Sequence, residues 1–461
     1  MERLSRTEQN NRRVQQLRKN YATTACPIPT YLGSISYAFL APALQEALQA
    51  SNFADKTHLV PGEADDWCAL YAKDNAQSIV FTSDTDLVLY DYCVDTLIVF
   101  LHDADMSVGL KAYSPDQIRK KMQLRSLIPF AFVVREGPQD TSQDLTRNAQ
   151  AVDRDSAQYI DFSNRYITQA VTPMPVSGTT GLPIKLPQLD VRVSEFVHQA
   201  LEGSQNPLVY MPLLVEDPIL ASAWNSGSDI RILAYSLLTH DHMVVLEYRR
   251  KAQGIIAQEI STYSAANLPI PVAELAQQVS MLAEWAALKA ISPELFWPLF
   301  ALSLVLAEGK SPPATSLVLR IVNGDFDNTW AFIHLTARMQ AALYSLRMFS
   351  QIAKVWLALN PAPVTKLHGS LSILSKQMQN FPRIPEVFCV PGQSKRVLTD
   401  HEKLRGLVDE IYKSVGAEVP AENISNKKKK RQAREADRKK RKVEQRQQVA
   451  NAYNLLDPSH N

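Results

Sequence analysis

Glycine is scarce in this chain, 15 residues of 461, and neither a P-loop nor a G-x-G-x-x-G segment occurs. Folds that cradle phosphate in a glycine-rich turn therefore lose their usual sequence support. Cysteine is scarcer still. Cys26, Cys68, Cys93 and Cys389 stand apart with no metal-type or redox-type spacing, which argues for a reducing compartment rather than a disulfide scaffold. The longest apolar run, 295–307, contains Pro298 and is bracketed by Glu294 and Glu308, whereas a membrane helix needs ~20 apolar residues. It reads as a buried helix, and no membrane partner is expected. The opening Met1-Glu2-Arg3-Leu4-Ser5-Arg6 has no apolar segment behind it, so no secretory signal is expected and the protein is placed inside the cell.

What the chain does have is 46% hydrophobic and 21% charged residues, a globular composition with material for a large core. Its charge is unevenly spread. Of 49 basic and 47 acidic residues, 12 and 3 fall within 426–448, so the rest of the chain is acidic by about seven charges and is no generic polyanion binder. The tail differs. Lys427, Lys428, Lys429, Lys430 and Arg431 form one basic cluster, and Arg438, Lys439, Lys440, Arg441 and Lys442 form a second, with six residues between. A nuclear import receptor reads such bipartite clusters, and they also contact nucleic acid. A nuclear location is expected.

Apolar spacing divides the chain. Residues 2–20 are polar, with Leu4, Val14 and Leu17 spaced helically. A helix is expected over 41–50, a short strand over 57–60, and a helix after Pro61-Gly62 with Glu63, Asp65 and Asp66 crowding its first turn. Ser78-Ile79-Val80-Phe81 reads as a strand buried on both faces of a parallel sheet. Further strands are expected over 87–90 and 96–101, and a helix capped by Ser114. The proline-rich stretch 171–190 reads as a linker. Helices are expected beyond it over 191–202, 228–238, 272–291, 293–307, 329–359 and 399–415, with a hairpin over 243–261.

Two pairs of acids carry the chemistry. Glu63 and Asp65 stand at a helix start; Asp84 and Asp86 follow an apolar strand, where ligands of open α/β sheets gather. Four carboxylates brought together repel unless a cation neutralises them, and hard oxygen ligands select Mg²⁺ or Mn²⁺. Phosphodiester cleavage is the chemistry such ions support.

This segment, a proline, a Glu-Ala-acid helix start with Cys68 behind it, and an apolar strand closing on Ser83-Asp84-Thr85-Asp86-Leu87, resembles the internal acidic motif of flap-endonuclease and XPG-type nucleases, in particular the asteroid-type branch of that PIN-like superfamily. The resemblance covers residues 1 to about 165. The stretch Leu208 to Pro218 is similar, less specifically, to asteroid-like proteins. Carried over, Glu63, Asp65, Asp84 and Asp86 are the expected metal-binding and catalytic carboxylates, and Glu136 is the nearest counterpart of a later metal-binding aspartate. The resemblance also implies two strands and their aspartates upstream of the basic opening helix, which this sequence does not show. It implies an α/β fold: an incomplete PIN-like parallel-sheet domain (1–165), a linker or insertion (166–190), a mainly helical C-terminal domain (191–420) and a basic tail (421–461).

Other patterns are weaker. Ser177-Gly178-Thr179-Thr180-Gly181-Leu182-Pro183 is similar to the phosphate loop of adenylate-forming enzymes, but Ile184 displaces Lys185, and a flexible linker explains it better. His240-Asp241-His242 lacks a third ligand. Asp103-Ala104-Asp105 reads as a turn. Two functions are expected: a nuclear, metal-dependent, structure-selective nuclease acting on DNA rather than RNA, as in DNA repair, or a catalytically dead nuclear scaffold that binds nucleic acid.

Overall fold

The computed structural model describes residues 2–21, 38–60, 63–105, 107–166, 189–239, 243–309, 311–325, 327, 329–362, 365–388 and 401–420. The expected linker, the 177–183 loop, His240-Asp241-His242 and the basic tail clusters lie outside the described residues, apart from Tyr166, Leu189 and Asp190 of the linker.

The first half of the chain runs α1 (Glu2–Asn20), α2 (Leu40–Gln49), α3 (Ala64–Asp74), β1 (Ile79–Thr82), β2 (Leu97–Asp105), β3 (Gly109–Tyr113), α4 (Pro115–Met122), α5 (Ile128–Glu136), α6 (Ser142–Gln150) and α7 (Ala157–Ser163). The second half continues through α8 (Val191–Leu201), β4 (Leu208–Tyr210), α9 (Ser228–Ser236), β5 (Val244–Lys251), β6 (Gly254–Ser261), α10 (Pro269–Leu288), α11 (Pro293–Glu308), α12 (Thr315–Val322), α13 (Trp330–Leu359), α14 (Lys366–Gln377), α15 (Ile384–Val387) and α16 (His401–Ser414). Short polar side chains start several of these helices by accepting an otherwise orphaned amide. Ser114 accepts from Gln117 N at 3.3 Å, with Pro115 next in line, and Thr329 accepts from Phe332 N at 3.3 Å. The cap expected at Ser114 is present.

Among the described residues two three-stranded sheets form, ordered β1-β2-β3 and β4-β5-β6. Each is mixed rather than parallel. β1 pairs with β2 in parallel, joined by the 83–96 crossover, while β2 pairs with β3 antiparallel because the connection at 106–108 is too short for anything but a reversal. The hairpin expected over 243–261 is β5 paired with β6.

Four expectations for the first sheet need correction. Residues 57–60 form no strand. Residues 85–89 form a 3₁₀ turn rather than a strand, because Asp84 accepts from Asp86 N and starts a tight coil. β1 is not buried on both faces: Ile79 and Phe81 are 54% and 52% exposed, while Thr82 is buried. In a strand successive side chains alternate, and the packing of this end of the sheet covers one side only. Asp103 and Asp105 lie on β2 rather than in a turn.

The largest core runs from Phe39 through α8, the second sheet and the helices up to Tyr412 in α16. α11, expected as a buried helix, lies in it, with Trp297, Leu299 and Phe300 nearly inaccessible. Among the described residues no helix is long and apolar enough to cross a membrane. α1 is clipped to the second sheet: Asn11 and Gln15 side chains donate to Gln253 O, and Arg18 pairs with Asp217 at 2.9 Å. Gly227, at φ +74°, turns the chain into α9 against α13, where an added Cβ would lie 2.8 Å from Ser345 Oγ.

A fully buried ion pair ties this core together. Arg231 donates to Glu247 at 2.6 and 3.1 Å, and also to Ser345 Oγ and Trp224 O. Tyr235 donates to the same carboxylate at 2.8 Å. Despite burial, which raises it, the Glu247 carboxyl is held below the usual range by Arg231. The first sheet has its own small core of Ala69 and Ala72 from α3, Leu87, Tyr90 and Tyr92 from the crossover, and Ile98 and Phe100 from β2. The candidate site rests on this core.

Candidate functional site

Two elements present the acids. α3 begins at Ala64, shortly after the Pro61-Gly62 pair of the sequence, residue types that do not continue a helix. Glu63 occupies its cap position in an extended conformation, yet its side chain makes no capping hydrogen bond. Asp65 and Asp66 follow in the first turn, where carboxylates are favoured by the exposed amides. The second pair lies where β1 ends and the crossover begins. Thr82 Oγ1 accepts from Asp84 N at 2.8 Å, and Asp84 Oδ1 accepts from Asp86 N at 3.1 Å. These local bonds fix the direction of the loop and use one oxygen of Asp84.

The structure brings the two pairs into one electrostatic neighbourhood centred on Asp65. Its carboxyl is pushed above the ordinary aspartate value, first by partial burial and then by Asp84, Glu63, Asp66 and Asp86 in that order. Coulomb repulsion falls with distance, so Asp84, from the other element, is the carboxylate that acts on it most strongly. Glu136 stands apart. At the end of α5 it pairs with its neighbour Arg135 at 2.8 Å, and it is not among the groups that act on Asp65.

Two tyrosines complete the arrangement, and sequence reasoning missed both. Tyr90 donates its hydroxyl to Asp66 at 2.9 Å, and Tyr166 donates to Asp86 Oδ2 at 2.9 Å. Their rings meet edge-on, centroids 5.7 Å apart. Both phenols are held protonated far above their ordinary range, by burial first and the adjoining carboxylate second, so they serve as donors. The Cys68 thiol is likewise pushed up, by partial burial first and by Asp65 second. Asp66, which has no counterpart in the resemblance, thus supports Tyr90. No periodicity links Tyr166 to residues eighty positions earlier.

The donor set, hard carboxylate oxygens that repel one another, fits Mg²⁺ or Mn²⁺ by chemistry. By distance it is open: among the described residues no three His, Cys, Asp or Glu side chains come together closely enough to hold a metal ion. Asp103 and Asp105 belong to a separate, locally satisfied group. Tyr113 donates to Asp103 at 2.7 Å and Ser107 to Asp105 at 2.6 Å.

Comparison with known proteins matches residues 36–262 to the family described as XPG domain containing. That span includes α2, the acidic site and the hairpin of the second sheet. No curated protein and no solved structure matches the chain.

Proposed function

The chain belongs to the XPG-like nuclease superfamily through residues 36–262, and on that premise we propose that it is an asteroid-type, divalent-metal-dependent nuclease that acts on branched or overhanging DNA in the nucleus. The observation that carries the reading is the environment of Asp65. Partial burial first, and then carboxylates from a helix start and from a strand end, raise its proton affinity, an arrangement in which a bound cation would relieve the repulsion.

In this reading Glu63, Asp65, Asp84 and Asp86 hold Mg²⁺ or Mn²⁺, which supplies electrostatic stabilisation for in-line displacement at phosphorus. The remaining work falls to the chain's own groups. Tyr90 and Tyr166, as fixed donors, hold Asp66 and Asp86 in place. The Thr82–Asp84–Asp86 bonds aim the strand-end pair. The basic clusters at 427–431 and 438–442 add non-specific phosphate contacts and nuclear import.

The test is incision of labelled flap and overhang DNA by the full chain with Mg²⁺ or Mn²⁺. Asp84→Asn keeps an oxygen for Asp86 N but removes the charge, and it should abolish cleavage. Cleavage unchanged in that variant would refute the reading. The spread of the carboxylates favours one alternative, a nuclear nucleic-acid-binding scaffold without catalysis. It requires no incision in any divalent metal, together with salt-sensitive binding that is lost without residues 426–448.

A further inference from the structure

The two tyrosines that donate to Asp66 and Asp86 also line a cleft of about 410 Å³, together with Lys73, Arg119 and Arg125. Three cations converge there from separate parts of the chain: Lys73 from the last turn of α3, Arg119 from α4, and Arg125 from the turn before α5. Asp91 is the only acid among the lining residues. It is 70% exposed, and it is approached by Lys73 Nζ at 3.7 Å and Arg119 Nη1 at 3.5 Å. Both distances are longer than a charge-assisted hydrogen bond. Arg119 also reaches Asp116 at 3.3 Å and Arg125 O at 3.4 Å. Arg125 itself makes no ion pair among the described residues. The cleft is thus a local excess of positive charge on an acidic body, with one exposed carboxylate, Asp91, loosely paired among its lining.

We infer that this cleft binds a backbone phosphate of the nucleic-acid strand a few nucleotides from the phosphodiester that lies at Asp65 and Asp84, with Asp91 as the internal anion that the phosphate displaces. Geometry supports the pairing of the two sites. Asp65 and Lys73 stand on one rigid helix, ~12 Å apart at 1.5 Å per residue, a few nucleotides along a strand. Tyr90 and Tyr166 belong to both, bonding Asp66 and Asp86 at one and lining the other. A phosphate contact of this kind positions a strand without reading its sequence.

The inference rests on the nuclease reading only in taking nucleic acid as the ligand, and its test is made without cleavage. Binding of a labelled single-stranded oligodeoxynucleotide to the full chain is measured in EDTA at several salt concentrations. The double variant Lys73→Ala/Arg125→Ala should weaken binding about tenfold and reduce the slope of log K against log salt by about one to two. Asp91→Asn should tighten it about twofold to threefold. Unchanged affinity and slope in the double variant, with a wild-type circular dichroism spectrum, would overturn the inference. So would a polyglutamate peptide that displaces the oligonucleotide as well as an unlabelled oligonucleotide does, since that would assign the cleft to an acidic protein partner. Cleft-dependent binding in a chain that cuts nothing would sink the nuclease reading and leave this inference standing. Incision that persists with cleft-independent binding would do the reverse.

Discussion

Tyr166 donates its hydroxyl to Asp86 at 2.9 Å across eighty positions of sequence, which ties the end of the first α/β segment to the loop that follows β1. Tyr166→Phe removes that donor and keeps the ring against Tyr90 and Phe162. The variant should lose about 0.5–1.5 kcal/mol of stability, read as a lower urea midpoint with an unchanged slope. It should also need more Mg²⁺ for half-maximal incision, because Asp86 is less firmly placed.

Asp65 carries the raised carboxyl, and the sign of its effect is fixed. A carboxyl whose folded value exceeds its unfolded value contributes stability below the unfolded value and loses it as pH rises through the folded one. At neutral pH the wild-type chain therefore bears a repulsion that Asp65→Asn relieves. Because Asp65 is only partly buried, the gain should be a few tenths of a kcal/mol after solvent screening. It should shrink as pH falls toward about 4. Urea melts of both proteins at pH 7 and pH 4 measure it.

Divalent cations should act in the opposite sense on the same repulsion. Mg²⁺ or Mn²⁺ at about ten times its dissociation constant should stabilise the wild-type chain by ~1.4 kcal/mol, seen as a higher Tm that EDTA reverses. In Asp84→Asn the shift should largely vanish.

The Arg231–Glu247 pair predicts the largest loss. Arg231→Met would leave Glu247 buried with Tyr235 and Arg249 as its remaining partners. Breaking one side of a buried pair costs about 3–5 kcal/mol. Soluble yield and the urea midpoint should both fall sharply, and replacing both partners with apolar residues should recover part of the loss.

Helices were the most legible part of the chain. The spacing around Phe196, Ile230, Leu299 and Leu343 repeats at helical period, and α8, α9, α11 and α13 lie within a residue or two of their expected bounds. Strand burial was less legible, because Ser78-Ile79-Val80-Phe81 is apolar on both faces while only one is covered. Periodicity cannot show what stands next to a strand. The acids were readable because the two pairs fall within 24 residues and each is set by its own helix start or strand end. Their support was not. Tyr90 and Tyr166 match no spacing rule, and the cations of the cleft come from three separate elements, so only folding brings them together.

α3 carries Glu63 and Asp65 at its leading end and Lys73 in its final turn. Insert a single residue between them and everything downstream swings by about 100° around the axis, so one end keeps its neighbours while the other faces elsewhere. Tolerance to such an insertion should therefore be set by angular phase rather than by helix propensity. Adding a whole heptad would restore direction while lengthening the rod by ~10 Å.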